Sequence, residues 1–120
     1  MLHTVNYTIP SPRLPEGFHG FRIVHLSDLH GAVFGDNNKF LIHRIGQARP
    51  HIIAMTGDMA DDDRASLANL TSLADRLADR WPVYYIPGNH EQALSAARFL
   101  GLAKKLESLG VTVLENNWVT

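Results

Sequence analysis

Phe21-Arg22-Ile23-Val24-His25-Leu26 runs directly into Ser27-Asp28-Leu29-His30-Gly31, and this junction decides the fold. Six mostly apolar residues followed by a polar stretch containing glycine read as a short strand emptying into a loop. Such a strand is of the kind buried on both faces. The loop continues to Asn37. From Asn38 to Ala48, Phe40, Leu41, Ile45 and Ala48 recur at helical spacing, and Arg49-Pro50 ends that helix. The same unit then returns twice. His51 to Thr56 reads as a strand, Gly57 to Asp63 as a loop, and Arg64 to Arg80 as a helix with Leu67, Leu70, Ala74, Leu77 and Ala78 on one face. Asp62 or Asp63 is the expected N-cap. Val83 to Ile86 is a strand, Pro87 to Gln92 a loop, and Ala93 to Leu109 a helix closed by Gly110.

Outward from these units the pattern weakens. His3 to Ile9 alternates loosely and reads as an edge strand, before Pro10-Ser11-Pro12 and Pro15-Glu16-Gly17 break regular structure. Val111 to Leu114 is a last short strand and Glu115-Asn116-Asn117 a turn signal. Strand, polar loop and helix, three times over, predict an α/β fold with right-handed crossovers and a mainly parallel sheet flanked by helices. At 120 residues, with no low-complexity tract or linker, the chain reads as one unit.

Composition excludes several functions. A net charge of -1 gives no electrostatic reason to expect a nucleic-acid or anionic-membrane partner. The chain lacks cysteine, which excludes disulfides, thiolate zinc sites and a cysteine nucleophile. No apolar run approaches the roughly 18 residues that span a bilayer. The residues therefore read as soluble, with localisation open between the cytoplasm and a membrane tether in a longer parent. No loop carries a glycine-rich phosphate cradle with its lysine, which disfavours a nucleotide-binding module.

Ligands of a parallel sheet bind where its strand-to-helix loops gather, at the carboxyl ends of the strands. All three such loops carry metal-ligand chemistry: Ser27-Asp28-Leu29-His30, Thr56-Gly57-Asp58 and Pro87-Gly88-Asn89-His90-Glu91. Carboxylate, imidazole and amide oxygen without thiolate suit divalent Mn, Fe, Zn, Ni or Co. Alternate residues of an extended chain point to one side, so Asp28 and His30 can grip one ion. Asn89 offers its carbonyl oxygen as a neutral ligand.

Asp-x-His, Gly-Asp and Gly-Asn-His-Glu, in this order and each after a strand, resemble the first three motifs of the calcineurin-like metallophosphoesterases. The flanking text, Gly20 to Gly31, Thr56-Gly57-Asp58-Met59 and Val83 to Glu91, is similar to a bacterial branch of that family. The resemblance implies half of a four-layer α/β/β/α sandwich. It also implies hydrolysis of phosphomono- or phosphodiesters at a dinuclear metal site with a bridging hydroxide. Asp28 and His30 would hold the first metal, Asp58 would bridge both, and Asn89 would belong to the second. His90 would contact the phosphate or protonate the leaving oxygen, with Glu91 orienting its ring. The family's later histidine motifs have no counterpart, because no histidine follows His90. Residues 1–120 thus read as the N-terminal part of such a domain, and the alternative product is an inactive fragment with a partial metal site. The uncovered sheet face is expected to make the chain self-associate.

Other polar residues have plainer readings. His25 is expected to be a hydrogen-bonded core histidine, and His3, His19 and His43 surface residues. The run Asp61-Asp62-Asp63 reads as a solvated helix start.

Overall fold

The computed structural model describes residues 4–61, 63–87 and 96–114. Three strand–helix units follow one another: β1 (Ile23–Leu26), α1 (Lys39–Ala48), β2 (Ile52–Thr56), α2 (Arg64–Ala78), β3 (Val83–Ile86), α3 (Ala96–Ser108) and β4 (Thr112–Val113). All the pairings are parallel and the spatial order is β1-β2-β3-β4. The α/β class and the parallel sheet expected from the sequence are therefore present. The sheet order never reverses, and crossovers of one hand then place every helix on the same face.

That face holds the core. Leu26, Met55, Tyr85 and Val113 are register partners across the four strands, with Ile53 and Val83 paired one step earlier. They pack with Leu41 and Ile45 of α1, Leu70, Leu73, Ala74 and Leu77 of α2, and Leu102 and Leu106 of α3. Helical and strand periodicities in the sequence thus converge on one apolar layer. The ends of the helices are set by local chemistry. Asp63 caps α2 by accepting from the Ser66 N–H at 2.7 Å. Gly110, at φ +96°, lets Val111 N–H reach Leu106 O at 3.1 Å and its own N–H reach Glu107 O at 3.0 Å. This pair of bonds closes α3 as a Schellman turn.

Two expectations are corrected. Residues 4–10 have no regular structure, and Val5, Tyr7 and Ile9 are exposed, so the segment read as an edge strand is not one. Alternation alone does not make a strand without a ladder partner, and the prolines that follow turn the chain away. As expected of half a sandwich, the described helices cover the strands on one face only: on the other, Ile23 is 57% and Ile86 41% exposed. His25 lies on this open face and is exposed rather than buried, its Nε2 hydrogen-bonded to Thr56 Oγ1. His51 has a structural role. Its Nδ1 accepts the Arg22 N–H at 2.9 Å and its ring stacks on Phe21 with centroids 4.8 Å apart, fastening the start of β2 to the start of β1.

Candidate metal centre

Beyond the ends of β1 and β2 the two chains remain joined. Asp28 N–H donates to Gly57 O at 3.0 Å, His30 N–H to Asp58 O at 3.0 Å, and Gly31 N–H to Met59 O at 2.9 Å. Gly57 N–H in turn donates to Ile86 O at 3.1 Å, which ties the second loop to β3. Met59 and Ala60 are buried, so the loop after β2 is anchored in the core beneath the site.

Asp28, His30 and Asp58 all have positive φ, at 56°, 50° and 53°. Left-handed backbone at a non-glycine residue costs about 1–2 kcal/mol, and the ladder of backbone bonds between the two loops holds it. The extended alternation expected to aim Asp28 and His30 together is thus replaced by two left-handed turns. One ligand-type atom from each of Asp28, His30 and Asp58 lies within 4.8 Å of the others. Asp28 and His30 are exposed and Asp58 half-buried, so the cluster opens to solvent.

The donor set suits a cation. Two carboxylates close together repel, and a divalent ion between them removes that repulsion. Bonds of about 2.0–2.2 Å put opposite donors of one ion roughly 4 Å apart, close to the spacing seen. Oxygen and imidazole donors without sulfur fit the borderline divalent metals. Asn89, His90 and Glu91, expected to complete the site, lie outside the described residues.

Sequence reading missed Asp61. Its side chain is part-exposed, as a solvated helix start would be, but its Oδ1 also accepts from His30 Nδ1 at 2.9 Å. The available signal was chemical, since a metal-ligating histidine commonly gives its other N–H to a carboxylate. Three consecutive aspartates left open which one it would be. Asp63, by contrast, is the helix cap that the sequence allowed.

Comparison with known proteins agrees with this picture. Residues 21–119 match the calcineurin-like phosphoesterase family. A transmembrane protein with metallophosphoesterase domain from Danio rerio is 27% identical over 115 residues, covering 94% of this chain and 26% of that protein. The uncharacterized metallophosphoesterase YkoQ of Bacillus subtilis is 33% identical over 99 residues, 81% of this chain and 37% of that protein. A second Bacillus subtilis relative, the uncharacterized metallophosphoesterase YkuE, is 38% identical over 64 residues, 52% of this chain and 22% of that protein. The chain therefore spans well under half the length of these relatives. No solved structure matches it. Among the described residues no helix is long and apolar enough to cross a membrane.

Proposed function

We propose, since the chain belongs to the calcineurin-like phosphoesterase family, that its protein is a hydrolase of phosphomono- or phosphodiesters working at a dinuclear metal centre. The observation that carries the reading is the convergence of Asp28, His30 and Asp58 from two strand-end loops. Asp28 and His30 would hold one divalent ion and Asp58 would reach both. Asn89, three residues after the end of β3 in the sequence, would supply a neutral oxygen to the second. When bound, two such ions neutralise phosphate oxygens and lower the pKa of a water between them.

The remaining work falls to the chain. His90 follows Asn89 directly, and an imidazole there can hydrogen-bond the phosphate or protonate the leaving oxygen. That proton matters because an alkoxide leaves poorly at neutral pH. The backbone hydrogen bonds that pair the β1 and β2 loops would hold the ligands in place and limit reorganisation on substrate entry. The names of the Danio rerio relative and of another from Bos taurus, both transmembrane proteins, favour a membrane tether in a longer parent.

Turnover of a chromogenic phosphodiester and the corresponding phosphomonoester with Mn²⁺ tests the reading. Partners that only orient a ligand contribute about 10–100-fold, so Asp58→Asn, which alters a ligand itself, should lower the rate by about 100-fold or more. A folded sample that takes up Mn²⁺ without turnover would identify the chain as a metal-binding piece that lacks catalytic groups.

A further inference from the structure

Sequence spacing groups Phe40 with Leu41, Ile45 and Ala48, yet Phe40 is 60% exposed while Leu41 and Ile45 are buried. At helical spacing Phe40 shares the outer side of α1 with His43, Arg44 and Gln47, and all four are exposed. The ring is held in place. It lies on the backbone of Gly35, where an added Cβ would stand 2.7 Å from Phe40 Cδ2, and the Phe40 N–H donates to Phe34 O at 3.0 Å. Lys39 Nζ lies 5.4 Å from the ring centroid, so charge and aromatic surface are presented together. From Lys39 to Arg49 the chain carries three bases, Lys39, Arg44 and Arg49, and no acid. The overall charge of -1 conceals this, because Asp28, Asp36, Asp58, Asp61 and Asp63 gather in the segments that follow β1 and β2. The chain also enters beside this face. Arg44 Nη1 donates to Thr4 Oγ1 at 2.9 Å, and residues 4–12 contain no charge while exposing Val5, Tyr7 and Ile9.

We infer that the outer face of α1 docks on an anionic lipid surface. Lys39, Arg44 and Arg49 are drawn to the headgroups, and the Phe40 ring enters the boundary between headgroups and acyl chains. Neither the metal centre nor a tether is needed for this docking. Each basic side chain near such a surface strengthens binding about fivefold. An aromatic ring among them adds apolar burial, which charge attraction alone lacks. The ordinary outer face of a helix is solvated and carries both signs of charge, and scattered exposed apolar residues need no explanation. The other helices fit that description: α2 mixes Arg64 and Arg76 with Asp75, and on α3 Glu107 stands one turn from Lys104. α1 departs from it twice, since its charge has one sign and its exposed apolar residue is a ring held in place. The outside of a single helix is convex, which suits a deformable headgroup layer.

Vesicle flotation tests this, because bound protein rises with the lipid and aggregated protein does not. The full chain is mixed with vesicles of phosphatidylcholine, alone or with phosphatidylserine, in EDTA so that no metal bridges protein to phosphate. Binding should require phosphatidylserine and weaken as salt rises. Arg44→Glu should lower affinity about 10-fold or more, since it reverses a charge rather than removing one. Phe40→Ser, which leaves every charge in place, should lower it about fivefold or more. The paired control Lys104→Glu with Lys105→Glu alters more charge, on α3, and should have less effect than Arg44→Glu. Circular dichroism verifies each fold; should Phe40→Ser fail to fold, Arg44→Glu against the α3 control decides alone. No flotation with phosphatidylserine, equal flotation with phosphatidylcholine alone, or an equal loss in the α3 control overturns the assignment. So does a folded Phe40→Ser protein that binds as the wild type does, which would mark a general attraction to polyanions, nucleic acids included. Self-association lost in Phe40→Ser, with no flotation of the wild type, would make this face a contact between copies instead.

Discussion

A methyl group added at Gly31 would stand 2.2 Å from Ser66 Oγ and 2.7 Å from Ser66 Cα, at a backbone φ of +76°. Neither the helix backbone nor the left-handed turn can yield cheaply. Gly31→Ala is therefore expected to cost about 2 kcal/mol or more, by forbidden backbone and steric overlap together. Urea denaturation checks this, and Mn²⁺ affinity should fall as well, because Ser66 also fixes Asp61. At this scale the sequence was legible where residue type alone speaks. Asp28, His30 and Asp58 were identified as ligand types, and they do converge. The His30–Asp61 contact joins residues 31 positions apart through the packing of α2, and local pattern carries no information about such a contact.

Helices show the complementary case, where pattern suffices for placement and packing sets the energy. Leu77 is fully buried on α2, within the cluster that includes Ile53, Tyr85 and Leu106. Leu77→Ala should cost about 2–5 kcal/mol through lost burial and a residual cavity, measurable by denaturant titration. Gly101, in the interior of α3, has nothing within 4 Å of the position its Cβ would occupy. Gly101→Ala should therefore raise stability by about 0.5–1 kcal/mol, the ordinary helix cost of glycine. A lower melting temperature would contradict the placement of that helix face. β3 and the body of α2 matched their predicted limits because apolar period, cap and breaker agree there. Residues 4–10 did not form the predicted strand, since strand formation depends on a partner edge that no local pattern specifies.

Among the described residues, the molecule is a sheet with helices on one side, a half-covered design for an α/β protein. The open face presents Ile23 and Ile86 to solvent, with Ile52, Ala54 and Tyr84 half-buried between them. We propose that the isolated chain associates with itself through this face. Light scattering should show mass rising with concentration, hydrophobic dye should bind, and Ile23→Lys should diminish both effects. A monodisperse monomer without dye binding would contradict this. The open face could be foreseen from three apolar strands sharing one set of helices, but its extent depended on the sheet order, which sequence did not determine. At the same scale, the carboxyl ends of β1 and β2 form the edge on which the functional reading depends. Diffraction from crystals grown with Mn²⁺, recorded at the manganese absorption edge, tests it most directly. An anomalous peak about 2.0–2.3 Å from one donor atom each of Asp28, His30 and Asp58 is predicted. Strong anomalous peaks elsewhere on the molecule, with none among these three side chains, would contradict the account.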